Sequence, residues 1–148
     1  MTDPRQIFSL AGATALVTGA SGALGAHFAR LLAGKGALVA AAARRTERLQ
    51  ELARECEGLP GRVVPLALDV SSVAAIEAGV TEAASLLGGF DVLVNNAGVG
   101  ETETALAVSE AQWDNQLDVN LKGCFFAAQA AAKIMAEQES GGAIVNIA

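Results

Sequence analysis

A chain of 148 residues suits one domain, and with 52% hydrophobic against 18% charged residues it is too apolar to stay disordered. A formal charge of −6 argues against a nucleic-acid partner, because binding a phosphate backbone needs clustered Lys and Arg. No apolar run reaches the roughly 20 residues of a membrane span, and the start from Met1 to Gln6 lacks a basic-then-apolar leader, so the expected setting is cytoplasmic and without a membrane.

In chain order, the apolar run at 13–17 reads as a strand. Behind it, Thr18-Gly19-Ala20-Ser21-Gly22-Ala23-Leu24-Gly25 opens a helical pattern. A strand, a glycine turn and a helix start form a phosphate cradle: small residues let the backbone approach, and the free N–H groups and positive dipole end of the helix face the charge. Taken alone, an ordinary tight turn fits as well. His27, the single histidine, follows in the helix and reads as a surface or packing residue. The second strand is expected at 38–43. It ends in Arg44 and Arg45, which with Arg48 form a local basic cluster. After the expected cap Thr46, Leu49, Leu52, Ala53 and Cys56 keep the helical period. The third strand is expected at 63–68, followed by Asp69-Val70-Ser71-Ser72 and a helix carrying Val73, Ile76, Val80, Ala84 and Leu87. The fourth strand, 92–94, runs into Asn95-Asn96-Ala97-Gly98.

Ser109-Glu110-Ala111-Gln112 is a capping box, in which Ser and Gln satisfy each other's free N–H groups. It starts a long helix that is expected to stop at Ser140-Gly141-Gly142. This helix holds Asn120, a polar amide that needs a partner. It also holds Cys124 and a small-residue face, Gly123 and 127–132, where another helix can come close. The fifth strand is expected at 143–147. Cys56 and Cys124 lack metal-like spacing and read as free, buried or half-buried thiols. The strands are apolar throughout instead of alternating, as strands covered on both faces are. The right-handed crossover rule then gives an α/β doubly wound parallel sheet, a Rossmann sheet in the order β-α-β-α-β-α-β-α-β, over a single domain 1–148.

Three ordered motifs, the glycine turn 18–25, Asp91 to Gly98 and Trp113 to Gly123, make the chain similar to the short-chain dehydrogenase/reductase family from about Leu10 to Ala148. The resemblance implies hydride transfer between a nicotinamide cofactor and a small-molecule carbonyl or secondary alcohol. In particular it points to an NADP-preferring enzyme like the 3-oxoacyl-thioester reductases. It implies backbone contacts to phosphate from Gly19, Ala20, Ser21 and Gly22, with Leu24 on the nicotinamide side and Gly25 at the helix–strand contact. The family's middle glycine is Ala23 here. Where an acid would select NAD at the end of the second strand, the chain has Ala43 followed by Arg44 and Arg45, the pattern of NADP binders; NAD is the less favoured cofactor. Asp69 and Val70 correspond to the adenine contact, although Asp69 also suits a helix-capping turn. Asn96, Ala97 and Gly98 correspond to the ribose contact, and Asn95 to a tie within the sheet.

Of the family's catalytic residues, the matching one is Asn120, for which a purely structural role is the other reading. The family's Tyr-x-x-x-Lys has no counterpart, since the sequence contains no tyrosine, and the fifth strand corresponds to the one that leads into the catalytic serine. The chain is therefore expected to be an incomplete, cofactor-binding part, inactive alone and with an exposed apolar edge on its last strand that favours aggregation or adventitious pairing. A homo-oligomer, dimer or tetramer, is expected for the complete protein. The alternative is a non-catalytic nucleotide-binding module that associates with another chain.

Overall fold

The computed structural model describes residues 8–100 and 102–148; the Met1 to Gln6 segment, read above for a leader, lies outside them. Five parallel strands, β1 (Thr14–Thr18), β2 (Leu38–Ala43), β3 (Arg62–Ala67), β4 (Val92–Asn95) and β5 (Ala143–Asn146), lie in the order β3-β2-β1-β4-β5. The chain thus moves outward on one side of β1, then crosses back to build the other side. That reversal leaves a crevice beyond the carboxyl ends of β1 and β4, where open α/β sheets bind ligands.

The sequence pattern follows from burial on both faces. Ala15 and Val17 enter one core cluster and Leu16 the other, and Val39 and Ala41 alternate with Ala40 and Ala42 in the same way. Helices α1 (Ala23–Gly34) and α2 (Thr46–Glu55) cover the first face; α3 (Val73–Leu87) and the carboxyl-terminal helix cover the second. The alanines of β2 keep both helix layers close to the sheet. Among the described residues no helix is long and apolar enough to cross a membrane.

Several boundaries differ from the sequence expectation. β1 extends through Thr18, which pairs with Ala42. Thr46 is not a cap but the first helical residue of α2: the chain turns into the helix one residue earlier, at Arg45, and no side chain caps it. Ser72 caps α3 through a hydrogen bond from the Ala75 N–H at 3.3 Å. The capping box of Ser109 and Gln112 is formed. The helix it starts is in three parts, α4 (Glu110–Leu117), a π-helical turn over Asp118–Gly123, and α5 (Cys124–Glu137). It ends before Ser140 because the Gln138 side chain leaves for the neighbouring loop, where it accepts from the Phe90 N–H at 3.0 Å and donates to the Phe90 carbonyl at 3.2 Å.

Ala127 and Ala131 on the small-residue face are buried with Ile76, Val80 and Ala83 of α3, so the helix that approaches them belongs to this chain. Beyond β4, β5 pairs only on one side among the described residues, and all four of its residues are exposed.

Candidate active-site cleft

A cleft of about 460 Å³ opens at the carboxyl ends of the strands, a volume within the usual range for cofactor pockets. Its floor is the glycine turn. Gly19 has φ +67, and a Cβ there would lie 2.7 Å from the Ala97 Cα; at Gly25 a Cβ would lie 2.5 Å from the Gly19 carbonyl oxygen. Only glycine fits either position, so the turn packs directly against the end of β4. Gly22 closes the turn, its N–H donating to the Gly19 carbonyl at 3.1 Å, and α1 starts behind it with no side-chain cap. The first N–H groups of α1 have no partner within the helix and belong to Ala23, Leu24 and Gly25, which line the cleft, an arrangement suited to phosphate.

Ser21, Gly22, Leu24 and Gly25 line the cleft with Gly19, as does the exposed Ala23. Ala20 does not: its N–H donates to the Ala42 carbonyl at 3.1 Å and its methyl lies in the core. Opposite, Asn96, Ala97 and Gly98 form the wall beyond β4. The Asn96 amide donates to the Thr18 carbonyl at 3.1 Å, which fixes the turn from the side. Thr18, buried and overlooked in the sequence, organises this corner: its hydroxyl accepts the N–H groups of Asn96 and Ala97, both at 3.0 Å. A threonine ending a strand gives no sign of this in the sequence. Asn95 ties the sheet, donating to the Cys124 carbonyl at 3.1 Å and to Asn146 Oδ1 at 3.0 Å.

At the far end of the cleft are Ala43, Arg44, Arg45, Asp69 and Val70. Arg45 reaches across to the glycine turn and donates to the Ser21 carbonyl at 3.3 Å and hydroxyl at 3.2 Å. The Asp69 carboxylate accepts the Ser71 N–H at 3.0 Å and hydroxyl at 2.8 Å. These two bonds, with a smaller contribution from Arg44, hold its pKa below the ordinary value. Asp69 therefore makes the expected turn while lining the cleft.

Asn120 stands outside the cleft lining, on the π-helical turn. Its Oδ1 accepts the Val99 N–H and its Nδ2 donates to the Val99 carbonyl, both at 2.8 Å, which anchors the loop after β4. π-helical turns often mark functional sites. The glycine cradle, the uncapped helix start and the basic cleft end together fit a dinucleotide.

The fold and cleft define a Rossmann-type unit, and the comparisons give its family. The profile of the short chain dehydrogenase family matches residues 13–148. The chain belongs to that family. It is 41% identical over 141 residues to a D-threitol dehydrogenase of Mycolicibacterium smegmatis, covering 95% of this chain and 54% of that protein. It is 38% identical over 138 residues to a 3-oxoacyl-acyl-carrier-protein reductase of Thermotoga maritima, covering 93% and 56%. A crystal structure of a short chain dehydrogenase from Burkholderia cenocepacia in complex with NADP superposes with TM-score 0.85 at 36% identity, over 93% of this chain and 55% of that one. The chain thus spans about half the length of the relatives it matches.

Proposed function

We propose that this chain forms the cofactor-binding part of an NADP(H)-dependent oxidoreductase that transfers hydride to or from a carbonyl or secondary alcohol. The observation that carries the cofactor choice is the end of β2, where Ala43, Arg44 and Arg45 line the cleft. A carboxylate at that place would accept a bond from the ribose 2′-hydroxyl and repel a 2′-phosphate; a guanidinium attracts the phosphate. One charge-assisted bond of about 1.5–3 kcal/mol corresponds to a preference of about tenfold or more. The relative bound to NADP supports the same choice.

In this reading the backbone of Gly19, Ser21 and Gly22 meets the phosphates, and Leu24 borders the nicotinamide. Asp69 and Val70 hold the adenine, and Asn96, Ala97 and Gly98 border the ribose. Gly25 keeps α1 against the strands, and Asn120 positions the loop after β4. Bound NADPH would supply the hydride; the chain's part is to bind and orient it. The test is a titration with NADPH and NADH, followed by nicotinamide fluorescence. NADPH should bind at least about tenfold tighter. No binding by a folded chain would end this reading.

None of the 148 residues is a tyrosine, so the family's proton-transfer group is not among them. Without it, turnover by these residues alone should fall by at least the factor of about 10²–10⁴ that acid–base catalysis supplies. The second reading is a non-catalytic nucleotide-binding module that works by associating with another chain. Carbonyl reduction by the purified chain would discard that second reading.

The proposal retains the cytoplasmic setting and the homo-oligomer. The contact face lies away from Ala127 and Ala131, which α3 covers. Trp113, Leu117, Leu121 and Phe125, at four-residue intervals along the α4–α5 rod, are all exposed. Such a continuous apolar stripe suits a helix-to-helix contact between copies. Leu121→Glu in the complete protein should shift the sedimenting species toward monomer.

A further inference from the structure

Behind the cleft wall lies a second, much smaller space. Val70, Ala97 and Val119 border both it and the cleft, while Asn95, Gly123 and Cys124 close its far side. Its volume is about 10 Å³, room for one water molecule.

Asn95 is 4% exposed, and its amide can point only one way. The Nδ2 group donates to the Cys124 carbonyl and to Asn146 Oδ1, so a reversed amide would set oxygen against oxygen at both contacts. Its Oδ1 is therefore fixed on the other side, buried, with no donor in reach. The side-chain donors around the cavity are committed elsewhere. The Thr18 hydroxyl donates to the Val94 carbonyl at 3.5 Å, and the Cys124 thiol faces Asn146 Oδ1 at 3.4 Å. Val70 and Gly123 both line the same space, and the Val70 carbonyl, which lies against Gly123 and takes no backbone hydrogen bond from the described residues, is the second candidate acceptor.

We propose that the cavity is a binding site for a single structural water, which donates one hydrogen to Asn95 Oδ1 and the other to the Val70 carbonyl. Two acceptors facing a one-molecule space match the two hydrogens of water, and buried polar atoms without protein partners are usually satisfied in this way. The water joins the end of β4 to the β3–α3 connection and backs the cleft wall at Ala97 and Val119. Gly123 is needed because a side chain there would run into the Val70 carbonyl.

The test is a crystal structure of the 148-residue chain at a resolution that shows ordered waters, with a water-selective rotating-frame Overhauser experiment in solution. The expected results are a density peak about 2.5–3.0 Å from Asn95 Oδ1 and cross-peaks from a long-lived water to the Ala97 and Val119 methyl groups. An empty cavity, a protein donor on Asn95 Oδ1, or the absence of those cross-peaks would overturn the proposal.

Discussion

Thr18 and Asn96 clasp each other across the ends of β1 and β4: the Thr18 hydroxyl accepts the Asn96 N–H at 3.0 Å, and the Asn96 amide returns a bond to the Thr18 carbonyl at 3.1 Å. This clasp brings Gly19 against Ala97 and so gives the floor and the wall of the cleft a fixed separation.

Thr18→Val keeps the shape of the side chain but leaves the N–H groups of Asn96 and Ala97 without their acceptor. A loss of about 1–3 kcal/mol is expected in chemical denaturation, the cost of an unpaired buried group. Thr18→Ser, which keeps the oxygen, should recover most of it. Equal stability of wild type and Thr18→Val would show that the clasp contributes nothing.

Arg44→Ala should weaken NADPH binding by about tenfold, the loss of one charge-assisted bond, and leave NADH nearly unchanged. Arg45→Ala should weaken both, because Arg45 also holds the Ser21 segment of the cradle. Isothermal titration of the two variants with each cofactor separates these roles; parallel losses in both variants would contradict the assignment.

Asp69 has a depressed pKa, chiefly through its two bonds from Ser71. Its contribution to stability is therefore fully present above the ordinary aspartate value of about 3.9 and is lost as the pH falls through the lower folded value. Melting curves of wild type and Asp69→Asn should differ at neutral pH and converge in acid. A difference that persists at the lowest pH would place the effect outside this carboxylate.

The two cysteines should react in order. Cys56 is buried, and that burial pushes its thiol pKa up despite the nearby Arg30, whereas Cys124 is half-buried. An aromatic disulfide reagent should label Cys124 in the native chain and Cys56 only on unfolding, as read by mass spectrometry of the peptides.

Among the described residues β5 is paired only with β4, and Ile144 and Val145 are exposed. The purified chain should self-associate there, and Val145→Lys, which places a charge on the edge strand, should reduce this in sedimentation velocity. A monodisperse wild-type chain would count against the edge as the site of association.

The strands, and the both-sided burial of β1, β2 and β4, were legible because runs such as Ala15, Leu16 and Val17 have no polar residue among them, and the capping box because Ser109 and Gln112 have their fixed spacing. The cleft was legible where backbone sterics dictate residue type, at Gly19 and Gly25. What escaped the sequence depends on distant partners. Nothing local to Thr18 reveals that it serves Asn96 and Ala97, and nothing local to Arg45 reveals that it reaches Ser21. The small-residue face was correctly seen as a place of close approach, but only packing shows that α3 takes it. The π-helical turn was hidden because helical periodicity tolerates one extra residue.

That turn also decides which length changes the chain can tolerate. A π turn closes its hydrogen-bonded loop with one residue more than an α turn, so Asp118–Gly123 behaves as an insertion absorbed within the helix. Removing one residue there would restore a regular α-helix and leave both flanks in phase, at the expense of the Asn120 link to Val99. The same deletion within α5 would rotate everything after it by about 100° and turn Ala131 and Met135 away from α3. Of the positions between Ser109 and Gln138, this turn is where evolution or an engineer could change the residue count without resetting the core.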